Sequence, residues 1–408
     1  MEFRTIEPGE LDAFYRTMAR AFSETSHDVT DAGRARQELD RTFAAIDGGA
    51  IVGTAATYSF RTVVPGGGSV PAAGLTEVGV LPTHRRRGVM RELLRRYVDQ
   101  ARERGEPLAT LFAAEAAIYG RFGFGRATPG LDVDVDAHRA AFVPWYEPAG
   151  RTRLVAHADA LQPLADIYRA AIADRPGANL LEDRDVPWVF GEKVYPDDQS
   201  RSRVEALFAI HEDGEGVPDA YAVYTAKHAW PDSLPNVEIT LDSMAAATPQ
   251  AAADMWRYLI DVDLVSHVKA WNRPADDPLH WLLQEPRAMR GKLLDSLLAR
   301  PLDVASSLAS RGYARDGAVR IGVADAFLPD NDGVYDLRVD EGRPACARST
   351  GEPMLSGPVN AIGAVYFGGA TWTELANGGM VREHEPGSLA AADAMFSTPV
   401  APWAAYMF

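Results

Sequence analysis

Apolar residues in the first third of the chain recur at helical and at strand spacings. Ala50–Tyr58 and Leu108–Phe112 are short runs rich in β-formers and predict two strands. Val64–Pro71, rich in glycine and proline, predicts the turn between two strands. Before these strands, apolar residues recur at helical spacing, at Leu11, Phe14, Met18 and Phe22. This spacing predicts a helix over 11–22 with one apolar face. Alternating strands and helices indicate an α/β fold built on a mixed sheet.

A second strand–turn–helix unit follows at 75–98. Leu75–Leu81 predicts a strand, which Pro82 ends because proline has no N–H to donate. Thr83 is predicted to cap the next helix. The apolar stripe of that helix has helical spacing and comprises Met90, Leu93, Leu94, Tyr97 and Val98.

The loop between that strand and helix is strongly basic. Arg85, Arg86 and Arg87 precede Gly88, which lets a ligand approach the backbone closely. The N–H groups in the first turn of a helix lack intrahelical partners and favour anions, so a phosphate fits there. The alternative is a basic surface turn before an ordinary amphipathic helix.

The middle of the chain, about 145–290, predicts a second α/β block. Leu161–Ala173 and Ala251–His267 are predicted helices, and Arg203–His211 pairs with Tyr221–Lys227 as strands. This block has no second copy of the basic glycine loop.

The last block, from about 295, predicts a further α/β unit. Val319–Val323 and Gly333–Val339 are predicted strands on either side of the turn cluster Pro329–Gly333. Ala361–Gly369 precedes a predicted helix over Thr371–Asn377. An apolar helix face in this block is more typical of a core than of a lipid tunnel.

Composition narrows the function classes. The 408 residues suffice for two or three domains, and 57 acidic against 41 basic residues give a net charge of −16. This balance argues against a nucleic-acid partner and suits a cationic substrate, although acidic charge also serves solubility.

With Cys346 alone, neither an intrachain disulfide nor a cysteine metal cluster is possible, and we expect no metal. The sequence lacks a signal core or membrane run, so we expect a cytoplasmic protein without a membrane partner; leaderless export stays open.

The basic loop and a downstream segment resemble a known family. Arg85-x-x-Gly88-x-Met90 is similar to the Arg/Gln-x-x-Gly-x-Gly/Ala signature of GNAT acetyltransferases, with a departure at Met90. The longer string Pro82–Gly88, with Tyr119–Gly123 downstream, resembles the enhanced intracellular survival (Eis) family, in which an aliphatic residue commonly stands at that position. The resemblance extends over the whole chain.

This resemblance implies a domain organisation. It implies tandem GNAT-like domains at 1–140 and 141–294, the second without the cofactor motif, and a sterol-carrier-protein-like domain at 295–408 that ends in the active site. It also implies a homohexamer.

The resemblance further implies the residues that bind the acyl-coenzyme A. The implied cofactor-binding set is Val78, Gly79, Val80, Arg86, Arg87, Gly88, Val89, Met90, Arg91, Ala114 and Glu115. The backbone at Val78 and Val80 would pair with the pantetheine amides, and an N–H near Val78 would polarise the thioester carbonyl. Tyr119 is the implied general acid; its alternative role is a buried aromatic beside Phe122 and Phe124.

The implied general base is the terminal carboxylate of Phe408. The apolar tail Pro402–Phe408 has no charged side chain and predicts a buried, docked end. Burial would raise the pKa of this carboxylate, which alternatively orients the ammonium of the substrate. Glu115 and Asp28 are candidate carboxylates on the substrate side.

The sequence therefore predicts an acetyl-CoA dependent N-acetyltransferase for primary amines, such as aminoglycosides, polyamines or lysine side chains. The alternative is a non-catalytic acyl-CoA or lipid-binding sensor on the same domains. The acceptor itself stays open.

Overall fold

The structure is a computed structural model that describes residues 1–24, 29–191, 194–196, 203–231 and 236–408. The chain forms two compact units. The first contains Met1–Thr128, Leu297–Pro399 and Met407–Phe408, and the second contains Pro129–Ser296 and Val400–Tyr406. The units change over at 128/129 and 296/297, whereas the predicted domain boundaries lie at 140/141 and 294/295.

The first unit contains a seven-stranded mixed sheet, in the order β1-β2-β3-β4-β5-β16-β6. Its strands, in that order, are Glu2–Thr5, Thr42–Asp47, Ala50–Val64, Gly68–Val80, Leu108–Phe112, Leu297–Pro301 and Gly125–Arg126. Strand β16 comes from far along the chain and pairs antiparallel with β5 on one side and β6 on the other. Without it, these two strands would have no neighbour on their facing edges within the sheet.

The same unit holds a five-stranded sheet, in the order β19-β18-β17-β20-β21. These strands are Arg343–Ser349, Gly333–Asp340, Gly317–Ala324, Leu355–Pro358 and Arg382–Glu383. The helices of the first unit are α1 Leu11–Ala21, α2 Asp31–Arg36, α3 Val89–Glu103, α4 Ala116–Gly120, α9 Val304–Ala309, α10 Val359–Val365, α11 Trp372–Asn377 and α12 Ser388–Phe396.

The second unit contains another seven-stranded mixed sheet, in the order β15-β7-β14-β13-β12-β11-β8. These strands are Met289–Asp295, Pro129–Asp136, Val265–Arg273, Asn236–Ala246, Pro218–Ala229, Leu207–Glu212 and Arg151–Val155. A two-stranded ribbon pairs β9 Val194–Pro196 with β10 Arg203–Glu205. The helices are α5 His157–Ile172, α6 Val186–Val189, α7 Pro249–Ile260 and α8 Leu279–Leu282.

The apolar stripe of α3 is confirmed as core. Leu93, Leu94, Tyr97 and Val98 are each at most 1% exposed, and they pack with strand residues such as Leu75. Tyr97 also donates from its hydroxyl to the Ala73 carbonyl of β4 at 2.8 Å. Helix α3 is thereby fixed against β4, the strand that precedes it.

Two local predictions are wrong. Thr83 does not cap α3: it lies in a 3₁₀ turn, Pro82–His84, and the helix begins at Val89 with Gly88 as its N-cap. The residues in between cannot be helical because Arg86 and Gly88 have left-handed backbone.

The predicted helix Ala251–His267 ends at Ile260, and strand β14 starts at Val265. Strand β14 lies inside the sheet, between β13 and β7, so its buried valines continue an apolar pattern that resembles a helix face.

Within the described residues, no helix combines the length and the apolar character that crossing a bilayer requires.

Candidate functional site

Strand β4 separates from its neighbour β5 at the point where the candidate site begins. The two strands pair in parallel over Ala72–Leu75, and β4 then continues to Val80 beyond the last of these pairs. Strand β5 ends at Phe112, paired with β16 on its other side. The backbone of β4 after Leu75 is therefore available on the β5 side for hydrogen bonding to an extended ligand.

A β-bulge lies in β4 within this separated stretch. Thr54 pairs with Gly79 and Ala56 with Thr76, so Glu77 and Val78 stand opposite Ala55 alone. The Thr54 hydroxyl donates to the Glu77 carbonyl at 2.8 Å. Glu77 has φ +53°, which is unusual for a residue with a side chain and is typical of functional sites.

The basic loop between β4 and α3 has a fixed backbone. The Arg85 guanidinium donates to the carbonyls of Ala21, at 2.9 Å, and Val80, at 3.3 Å. Arg86 and Gly88 have φ +61° and +82°, so both are left-handed. Such a turn at the start of a helix directs backbone N–H groups toward one place, where they bind an anion.

A cavity of about 570 Å³ joins these elements in the first unit. Eleven of the thirteen predicted site residues line it: Val78, Gly79, Val80, Arg86, Gly88, Val89, Met90, Arg91, Ala114, Glu115 and Tyr119. Arg87 and Phe408 are not among the lining residues. The lining also includes residues that sequence reasoning did not select, namely Ala21, Phe22, His84, Arg85, Ile118, Arg121 and Phe122.

The side chain of Arg87 points to another partner. Its guanidinium lies 3.8 Å from the Asp47 carboxylate, and half of the side chain is exposed. A contact of this kind at the surface contributes little to stability. The role of Arg87 in cofactor binding stays a prediction.

Tyr119 lies at the cavity wall in the short helix α4. Its ring meets Phe124 edge-on, with 6.1 Å between ring centroids. Burial raises the pKa of Tyr119 to about 12, so the phenol is protonated at neutral pH. Tyr119 is thus a partly buried aromatic whose hydroxyl keeps its proton, and its role as general acid stays a prediction.

Phe408 is docked in the first unit. Its ring lies 4.5 Å from the Phe60 ring and 5.3 Å from the Phe112 ring, between centroids. A Cβ on Gly74 would lie 2.3 Å from the Phe60 ring and 2.8 Å from the Phe408 ring, so glycine at this position of β4 makes room for both rings. The last side chain therefore packs on β3, β4 and β5; the role of its carboxylate stays a prediction.

Glu77 is a carboxyl that sequence reasoning missed. Its Oε2 accepts from the Gln37 amide at 3.1 Å, and the Gln37 carbonyl accepts from the hydroxyls of Tyr15, at 2.9 Å, and Tyr58, at 3.3 Å. Burial raises the pKa of Glu77 to about 7, against the opposing effects of the Gln37 hydrogen bond and the Arg36 charge. The signal in the sequence was a single charged residue in an otherwise apolar strand.

The other two candidate carboxylates are Glu115 and Asp28. Glu115 is exposed at the cavity rim, next to Ala114. Asp28 lies outside the described residues. The described part of the chain contains no group of three or more His, Cys, Asp or Glu side chains that could hold a metal ion.

Comparisons with known proteins agree with this geometry. Residues 2–127 and 183–301 each match the family described as an acetyltransferase (GNAT) domain, and residues 304–405 match a sterol carrier protein domain. An uncharacterised N-acetyltransferase of Streptomyces avermitilis is 37% identical, covering 100% of this chain and 99% of that protein. The N-acetyltransferase Eis of Mycobacterium tuberculosis is 30% identical, covering 88% of this chain and 87% of Eis.

The fold agrees with a solved relative over its full length. The crystal structure of Eis1 from Mycobacterium abscessus superposes with a TM-score of 0.85 at 31% identity, covering 100% of both chains. The basic loop, the separated strand and the domain order thus have the same explanation: the chain belongs to the Eis family of GNAT N-acetyltransferases.

Proposed function

We propose that this acetyltransferase takes its acetyl group from acetyl-CoA and transfers it directly to a primary amine of a cationic substrate. The observation that carries the proposal is the cavity, which is lined by the helix N-terminus of α3, the separated strand β4 and Tyr119. GNAT enzymes use acyl-CoA as co-substrate, and these parts fit its pyrophosphate, its pantetheine arm and its thioester.

The basic loop is assigned to the pyrophosphate. Backbone N–H groups at Gly88 and Val89 supply hydrogen bonds, and Arg86 and Arg91 supply positive charge from the cavity wall. The backbone of Val78 and Val80 is assigned to the pantetheine amides. A N–H group at the bulge is assigned to the thioester carbonyl, whose oxygen gains negative charge as the amine attacks.

The chemistry is then a direct displacement. The amine nitrogen bonds to the thioester carbon, the C–S bond breaks, and the Tyr119 hydroxyl gives its proton to the departing thiolate. The amine proton passes to a carboxylate, for which the terminal carboxylate of Phe408 is the first candidate. Glu77 is a second: it does not line the cavity, but it lies in the bulge next to Val78, which does, and a pKa near 7 suits a group that takes up and releases a proton at neutral pH.

The charge of the chain supports a cationic acceptor. The chain carries a net charge of −16, and acidic surfaces concentrate cations. We propose aminoglycosides, polyamines and lysine side chains as the compounds to test. We also propose a homohexamer that acts in the cytoplasm.

The experiment is a coenzyme A release assay over a panel of these amines, with acetyl-CoA as donor. We expect turnover with at least one amine and a strong loss in Tyr119→Phe without loss of acetyl-CoA affinity. Tight binding of acetyl-CoA with no turnover on any amine would instead support the non-catalytic sensor. Parallel reactions with Phe408 deleted and with Glu77→Gln decide which carboxylate takes the amine proton.

A further inference from the structure

The turn that follows Tyr119 closes on Tyr119 itself. Helix α4 ends at Gly120, and the N–H groups of Phe122 and Phe124 both donate to the Tyr119 carbonyl, at 2.9 and 3.4 Å. The helix has only five residues and no side-chain cap at its N-terminus. A helix this short has little stability of its own, so other contacts must fix the position of the Tyr119 hydroxyl.

One of those contacts comes from helix α10, within the segment that matches a sterol carrier protein domain. The side-chain amide of Asn360 donates to the carbonyls of Gly120 and Phe124, each at 2.8 Å. These two carbonyls lie at opposite ends of the turn. A single amide group therefore spans the turn and holds its ends at a fixed separation.

A second contact comes from strand β16. Arg300 is fully buried, and its guanidinium donates to the Phe122 carbonyl and pairs with the Asp325 carboxylate. The Phe122 ring packs edge-on against Phe327, with 5.1 Å between centroids. The middle of the turn is thus held by residues that follow it by well over a hundred positions.

Two glycines show how closely these elements approach the turn. A Cβ on Gly123 would lie 1.7 Å from the Arg300 guanidinium, and one on Gly125 would lie 2.0 Å from the Asn360 carbonyl oxygen. Gly123 also has φ +86°, which favours glycine. Neither glycine position has room for a side chain, because α10 and β16 lie against the turn. The conformation of the turn therefore depends on these two elements.

We propose that Asn360 is a positioning residue for the acetyl transfer. By bridging the Gly120 and Phe124 carbonyls, it sets where the Tyr119 hydroxyl lies in the cavity. Helix α10 then contributes to the chemistry of the GNAT segment without touching the substrate. This inference rests on the proposed function and on the role of Tyr119 as the acid.

The test is a double-mutant cycle between Asn360→Ala and Tyr119→Phe. We expect Asn360→Ala to lower kcat roughly ten- to a hundredfold, since misplacing a catalytic group by about 1 Å has effects of that size. The KM for acetyl-CoA should change less than about twofold, because the pyrophosphate loop is untouched. In the Tyr119→Phe background the same substitution should have almost no further effect on kcat.

Two controls separate positioning from a general loss of structure. Asn377→Ala removes an exposed asparagine at the end of α11 and should leave kcat unchanged. Asn360→Asp keeps the volume of the side chain but removes both N–H donors, so it should behave as Asn360→Ala even where the alanine variant folds poorly. Amide hydrogen exchange at 122–124 should become faster in both Asn360 variants.

The outcomes are distinct. Wild-type kcat in both Asn360 variants overturns the inference, and so does an equal loss in the Tyr119 and Tyr119→Phe backgrounds. An active wild type whose kcat is unaffected by Tyr119→Phe overturns the inference and the role of Tyr119 as acid, while the proposed acetyl transfer to an amine stands. A wild type that acetylates no amine refutes the proposed function itself.

Discussion

Replacing Glu77 by glutamine should stabilise the first unit at alkaline pH. The carboxyl lies in the β4 bulge, and burial raises its pKa to about 7 from an ordinary value of 4.5. The hydrogen bond from Gln37 and the nearby charge of Arg36 lower this pKa, but they offset only part of the rise that burial causes. The folded protein therefore prefers the neutral carboxyl, whereas the unfolded chain ionises it readily.

The sign and the size of the effect follow from linkage. A carboxyl with a raised folded-state pKa binds more protons in the folded state between about pH 4.5 and 7, so the free energy of unfolding falls as pH rises through this window. Above pH 7 the folded state carries the full free-energy cost of the ionised Glu77 carboxylate. At about 1.4 kcal/mol per pKa unit the upper limit is about 3 kcal/mol. In Glu77→Gln the neutral amide avoids this cost.

The assay is thermal unfolding of wild type and Glu77→Gln at pH 5 and pH 8. For a unit of this size, 1 kcal/mol shifts the melting temperature by about 2–4 °C, so the variant should gain several degrees at pH 8 and much less at pH 5. Glu115→Gln is the matched control, because Glu115 is exposed and its replacement should change neither value. A Glu77→Gln protein that melts at or below the wild-type temperature at pH 8 would refute the reasoning.

Three further predictions concern binding, chemistry and assembly. Gly88→Asp should abolish acetyl-CoA binding in calorimetry, because it combines a strained φ of +82° with a negative charge at the pyrophosphate loop; unchanged affinity would remove this loop from the site. Deleting Phe408 moves the terminal carboxylate by up to about 3.5 Å, and a C-terminal tag replaces it by an amide, so turnover should fall strongly while acetyl-CoA affinity persists. A tagged protein that is stable and fully active would exclude Phe408 from the mechanism. Light scattering should give a mass near six chains; a mass near the 44.2 kDa of one chain at all concentrations would contradict the hexamer.

The local sequence pattern was sufficient to predict the structure where one segment determines its own conformation. The strand Leu108–Phe112 has the predicted bounds, and the stripe of α3 is buried as expected from its spacing. The basic loop lies at the cavity as predicted, and the left-handed residues that give it its shape, Arg86 and Gly88, belong to the loop itself. In each case the residues that decide the structure are neighbours in sequence.

Features that depend on distant residues could not be predicted. Nothing in Leu297–Pro301 indicates that this strand inserts between β5 and β6, since any apolar run suits a sheet interior. The pKa of Glu77 is raised by its burial in the folded chain, and the two residues that partly oppose this shift, Gln37 and Arg36, lie about forty residues earlier. The contact of Asn360 with the Tyr119 turn likewise joins positions that no spacing rule connects.

The insertion of β16 between β5 and β6 has a consequence for how the protein is made. The first sheet cannot be completed until Leu297–Pro301 has left the ribosome, and residues 113–296 must be synthesised in the meantime. At common translation rates, the facing edges of β5 and β6 wait roughly ten to forty seconds for their partner strand. Exposed strand edges promote aggregation, so a gene truncated after the first GNAT match should yield insoluble protein, and the nascent chain is a natural client for chaperones.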